Sequence, residues 1–228
     1  MPPPDDRLAR ALRGFGPLGL AAILLILSGN FLFLPLSALL VLAWAHASAT
    51  PWADLGLVRP KSWTRSLAIG IVFGAFFKLA MKSIVMPLLG APPVNAHYHF
   101  LAGNTAALPV MIFTLIVGAG FGEEVLYRGY MFERLGRLLG HRKAAKIAIV
   151  VITATLFAAG HYADQGIPGV EQAAVTGLVY GGIFAVTGEL FMLMVAHATF
   201  DLVALALIYW ELEAQVAHWF FARHLLSP

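Results

Sequence analysis

Apolar segments long enough to cross a bilayer recur along this 228-residue chain, and they exclude most soluble folds. A helix crosses the hydrocarbon core in roughly 17–25 mostly apolar residues. Segments of this kind run from about Ser66 to Leu89, Ala106 to Leu126, Ala144 to His161, Glu171 to Val186 and Leu190 to Trp210. The third of the chain's apolar stretches, which starts at Ala106, can continue as helix to Leu139. The first, Phe15 to Ala47, is interrupted at Ser28-Gly29-Asn30 with Pro35 just beyond, so it is either one tilted helix or a tight pair of short ones. Lipid offers the backbone no hydrogen-bond partners, so such segments must satisfy themselves as helices. The expected fold is all-α, a polytopic transmembrane helical bundle of about six to eight helices forming a single membrane domain over residues 1–228.

Composition agrees. Apolar residues make up 60% of the chain, against roughly 45–50% in ordinary soluble domains. Charged residues are 12%, about half the usual share. The absence of cysteine rules out disulfides, thiol nucleophiles and thiolate metal ligands. A net charge of +3 is too small to suggest nucleic acid. Arg7, Arg10 and Arg13 precede the first apolar run, and Ala45-His46-Ala47-Ser48-Ala49 resembles a leader cleavage site. That run far exceeds a leader's ~7–15-residue core, so an uncleaved N-terminus is expected.

Basic residues cluster at Arg7 to Arg13, Arg59 to Arg65 and Arg134 to Lys146, whereas Gly90 to Asn104 and Tyr162 to Val170 hold no Lys or Arg. The positive-inside rule makes the three clusters cytoplasmic and the two neutral stretches outer loops. An even number of crossings must then separate the first two clusters, which favours a hairpin in the first stretch and seven crossings overall. The tail from Glu211 to Pro228, with Trp219, Phe220, Phe221, Arg223 and His224, reads as interfacial. Gly118, Gly120 and Gly122, like Gly177, Gly181 and Gly182, read as small residues that let helices approach closely.

Four ionisable groups fall where hydrophobicity alone would not put them: Glu123, Glu124, Arg128 and Asp201. His161 and His197 join them. One charge at a helix centre costs about 2.5–3.5 kcal/mol on insertion scales. Four unpaired would cost on the order of 10 kcal/mol, comparable to a whole domain's net stability. They must therefore face the bundle interior and find partners. Glu124 and Arg128 stand four apart with the acid first, the favourable order for an ion pair. Glu123 lies about 100° round an α-helix from Glu124, so it need not share that arginine. His197 and Asp201 are again four apart, placed for a hydrogen bond in which the carboxylate sets the imidazole tautomer. Taken singly, a membrane histidine is a packing donor and an i, i+4 Glu–Arg pair is structural. Together on three segments, they are sufficient equipment for activating water. Lys78 and Lys82 are expected to snorkel to the interface. His97-Tyr98-His99 could hold a metal but lacks an accompanying acid.

Three motifs in order carry a resemblance. Glu123-Glu124-Val125-Leu126-Tyr127-Arg128-Gly129 looks like EExxxR, Phe157-Ala158-Ala159-Gly160-His161 like FxxxH, and His197-Ala198-Thr199-Phe200-Asp201 like HxxxN/D. Together they resemble the CPBP intramembrane peptidases, the CAAX prenyl endopeptidase and bacteriocin-processing family, also called type II CAAX proteases. Asp54-Leu55-Gly56-Leu57 and the stretch Gly177 to Ala196 also look familial, while the first hundred residues match loosely. The resemblance implies an intramembrane endopeptidase with its catalytic helices at approximately 105–210. Glu123 would activate a water that His161 also holds. His197 and Asp201 would stabilise the oxyanion, with Glu124 and Arg128 as structural support. Where some relatives have Asn, this chain has Asp201, and an ionised Asp cannot donate. Asp201 is then either protonated or orients and charges His197; the second is preferred. Glu123, His161 and His197 could bind Zn²⁺ and leave a site for water. The local HExxH signature is absent, and the cofactor expectation leans to none.

Two rival classes stay open: a non-catalytic membrane immunity or peptide-binding protein of the same family, and a small transporter using the same groups as a proton relay. The expected partners are the lipid bilayer and a peptide or membrane-associated protein substrate. The expected location is a prokaryotic cell (inner) membrane, with the N-terminus cytoplasmic.

Overall fold

The computed structural model describes residues 6–32 and 35–221. Over these it is helical without strands. The first two helices are α1 (Asp6–Arg13) and α2 (Pro17–Leu32), bent 58° from one another. Then come α3 (Leu36–Ala47), α4 (Trp63–Leu88), α5 (Thr105–Leu139), α6 (Lys143–Gly160), α7 (Tyr162–Thr187), α8 (Phe191–Tyr209) and the short α9 (Glu213–Ala217). Among the described residues, the five from α4 to α8 are long and apolar enough to cross a membrane.

Their outer faces agree with that role. Phe76, Val110 and Val186 are 70%, 68% and 87% exposed, which water would penalise and acyl chains accept. α8 sits between α4 and α5, and α6 pairs with α7. Close approach depends on missing side chains. A Cβ on Gly74 would lie 2.2 Å from the Ala196 carbonyl oxygen, and one on Gly120 2.8 Å from Ala198 Cβ. Two helices thereby seat against α8 at the turns flanking His197.

The first apolar stretch is two helices, not one. The break falls later than Ser28-Gly29-Asn30, because α2 continues to Leu32. Ser37 Oγ donates to the Ile26 carbonyl (2.5 Å) and Trp44 Nε1 to that of Leu12 (3.1 Å), so α3 folds back along α2 and the end of α1. α3 has only 12 residues, below the length of a full span, which leaves the expected seventh crossing incomplete. Tyr162 to Val170, expected as a loop, is the first part of α7. Gly166 (φ 61°) bends the chain there, and Pro168 opens the longer portion beyond the bend. Residues 222–228 of the expected interfacial tail, with Arg223 and His224, lie outside the described residues.

The three basic clusters share one end of the bundle. Arg134 donates to the carbonyls of Arg13 and Gly14, and its guanidinium lies 4.5 Å from the Phe15 ring. Lys146 reaches the Ala185 carbonyl, while Ser66, next to the Arg59–Arg65 cluster, donates to Glu189. At the other end, the chain between α4 and α5 folds against α8 and α9. Gly103 N–H donates to the Tyr209 carbonyl and Asn95 N–H to the Glu213 carboxylate.

Candidate active site

The site is built on an unusual stretch of α5. From Thr114 to Tyr130 its backbone runs with π-helical i→i+5 bonds over 17 residues. π-helix is rare, mostly confined to single-turn bulges, and frequent at functional sites. A second π-helical turn, Met81–Val85, interrupts α4 and contains Lys82.

The adjacent acids of α5 end in different surroundings. Glu124 is completely buried, whereas Glu123 keeps 12% of its side chain exposed, into an internal cavity of about 710 Å³. Glu124 Oε1 accepts from Arg128 NH1 at 2.9 Å and from His197 Nδ1 at 2.7 Å. The Arg128 guanidinium is held between two rings, 4.7 Å from Phe157 and 5.6 Å from Tyr180. One carboxylate is thus consumed by a buried clamp, and the other faces open space.

His197 is oriented by Glu124 rather than by Asp201. Its Nε2 lies 3.6 Å from Asp201 Oδ2 and 3.7 Å from Glu123 Oε2, too far for hydrogen bonds. This corrects the expected His197–Asp201 bond: the shared helix face is there, but a carboxylate on another helix claims Nδ1. Since that carboxylate accepts, Nδ1 donates, and Nε2 is turned to Glu123 and Asp201. His161 caps the end of α6 with Nδ1 2.8 Å from the Phe157 carbonyl oxygen. A carbonyl only accepts, so Nδ1 again carries the proton and Nε2 is the ring's acceptor.

Glu123, His161, His197 and Asp201, drawn from three segments, line the same cavity; Glu124 and Arg128 stand behind its wall. Among the described residues, no three His, Asp or Glu side chains are arranged to hold a metal ion. Glu123, His161 and His197 therefore do not form such a group in this arrangement.

Residues 105–203 match the family model described as Type II CAAX prenyl endopeptidase Rce1-like. Over that segment the chain is similar to the Rce1-like family. No curated protein and no solved structure matches the chain. The matched segment contains every cavity-lining residue of the three motifs, and with the apolar spans it makes this a CAAX-protease-like, multi-pass membrane protein.

Four groups at the cavity were not read as site residues from the sequence: Lys78 and Lys82, expected at the interface, and Glu213 and Gln172. Lys78 and Lys82 do not snorkel; both line the cavity. Lys82 Nζ pairs with Glu213 at 2.9 Å, and Lys78 Nζ donates to Gln172 Oε1 at 2.8 Å. Snorkelling failed because α4 turns these positions towards α7, α8 and α9 rather than lipid. The available signal was two lysines four apart in an apolar segment, the same kind of anomaly that Glu123 presents. Glu213 and Gln172 carried no comparable signal.

Proposed function

We propose that this Rce1-like protein is an intramembrane endopeptidase that hydrolyses a peptide bond with a water activated by Glu123 and His161. The observation that carries the reading is the convergence of Glu123, His161, His197 and Asp201 on one cavity, with Glu124 and Arg128 withdrawn into the wall. In this reading the water gives one proton to the Glu123 carboxylate and directs the other to His161 Nε2. Its oxygen attacks the scissile carbonyl carbon. The resulting oxyanion faces His197, which donates from Nε2 while Nδ1 stays on Glu124, and so acts carrying both ring protons. Collapse breaks the C–N bond, and Glu123 returns its proton to the leaving amine. General-base help is commonly worth ~10²–10⁴ in rate, and one oxyanion donor ~10²–10³. No step calls on a metal.

The cavity lies wholly in the half of the bundle away from the basic clusters, between Glu123 at mid-span and the 90–104 connection. With those clusters and the N-terminus in the cytoplasm of a cell membrane, a peptide or a segment of a membrane-associated protein reaches the site from the outer face. The test compares protein termini by mass spectrometry in host cells carrying wild-type or Glu123→Ala protein at equal membrane levels. Termini that require Glu123 are expected. Identical proteomes, with a folded variant, would leave the peptide-binding reading in its place.

A further inference from the structure

The cavity wall carries two lysines in different electrostatic situations. Lys82 has an internal counter-ion, Glu213, at 2.9 Å. Lys78 is 93% buried, yet among the described residues no carboxylate lies within ion-pairing distance of it. Its ammonium donates to the neutral Gln172 side chain at 2.8 Å and lies 4.7 Å from the centre of the Phe200 ring. An ammonium has three donors, and one neutral acceptor with one aromatic face is partial compensation for taking a cation out of water, to which Asp201 and Glu213 add attraction only from beyond ion-pairing distance. Intramembrane cations of this kind mark where substrates or ions bind.

Position narrows the chemistry. Lys78 lines the same cavity as Glu123 and Asp201, and Phe200, on which it rests, is the neighbour of Asp201 on α8. A point charge on a flexible stem suits a single anionic group. Beside these polar groups the cavity also carries apolar wall, including Met86, Phe200 and Ala204, which suits the rest of a peptide.

Resting on the peptidase reading, we propose that Lys78 is the carboxylate-binding subsite of this cavity, seating a carboxylate of the substrate peptide beside the water-activating groups. That carboxylate is either the peptide's free C-terminus or an Asp or Glu side chain. An extended chain advances ~3.3–3.6 Å per residue, so the bound carboxylate stands within a few residues of the bond that is cut. Lys78 contributes to selecting the substrate, while Glu123 acts on it.

The test uses the full chain in lipid nanodiscs and a randomised hexapeptide mixture, with and without Asp and Glu, each made as C-terminal acid and as C-terminal amide. Peptide retention and cleavage are both read by mass spectrometry for wild type, Lys78→Met and Lys78→Arg. A charge-assisted hydrogen bond makes wild type prefer carboxylate-bearing peptides by roughly ten- to a hundredfold. Lys78→Met removes that preference and Lys78→Arg keeps part of it. A preference for acids over amides identifies the C-terminus as the ligand; a preference for Asp or Glu regardless of amidation identifies a side chain. Selective retention without any cleavage keeps the subsite and sinks the peptidase reading. Cleavage by wild type that ignores both kinds of carboxylate sinks the subsite and keeps the peptidase, and this holds even where Lys78→Met does not fold.

Discussion

Arg128→Met isolates the buried clamp that orients His197. Arg128 and Glu124 are 1% and 0% exposed, their ion pair is 2.9 Å long, and the guanidinium lies against the rings of Phe157 and Tyr180. Methionine keeps much of the apolar stem but leaves the Glu124 carboxylate inside the bundle with His197 as its remaining partner. Removing one member of a buried pair costs about 3–5 kcal/mol, a large part of a typical domain's ~5–15 kcal/mol. At ~2–4 °C per kcal/mol for a chain of this size, the melting temperature should fall by ~6–20 °C. Five tryptophans report unfolding in detergent through intrinsic fluorescence, and Trp44, packed 4.9 Å from Tyr130, is close to the change. The double variant Glu124→Leu/Arg128→Met removes both charges, and apolar replacement of a whole buried pair is often neutral or better. It still strands the His197 Nδ1–H, worth about 1–3 kcal/mol, so it should recover about half of the loss without recovering cleavage. A shift under ~2 °C for Arg128→Met, or a double variant as unstable as the two singles summed, would refute the argument that this pair is a coupled buried clamp.

Other outcomes follow from the same geometry. Glu123→Ala should reduce cleavage by ~10²–10⁴ while moving the melting temperature by only a few degrees, because the side chain faces a cavity; the pair of readouts separates catalysis from folding. Gly74→Ala should cost about 1–3 kcal/mol of overpacking and reduce cleavage, since its Cβ would meet backbone of α8 next to His197, whereas Gly182→Ala, with nothing within 4 Å, should change neither. Asp201→Asn should retain cleavage within about tenfold because an amide can donate to an oxyanion, and Asp201→Ala should fall well below it. The chain has no cysteine, so single replacements map its sides cleanly: Asn95→Cys should react with an impermeant maleimide in intact cells and Lys143→Cys only after permeabilisation. The reverse pattern would overturn the outward-facing cavity.

The membrane-spanning character of this protein was legible from residue order alone. Runs of apolar residues report a solvent, and a bilayer leaves the backbone little choice but helix. The long helices from α4 to α8 accordingly begin and end close to where apolar runs begin and end, except where Gly166 let α7 start early. Charges inside those runs were equally legible as exceptions, because each is costly unless partnered, and the Glu124–Arg128 pair followed from spacing along one helix. Pairings between helices did not. Nothing in the order of residues ranked Glu124, 73 positions away, above Asp201, four away, as the partner of His197. Nor could it distinguish Lys78, inside a cavity, from a lysine reaching for the interface. Helix rotation decides both, and it is set by close contacts such as Gly74 on Ala196 and Gly120 on Ala198. Periodicity reports which residues share a face; only packing decides what that face meets.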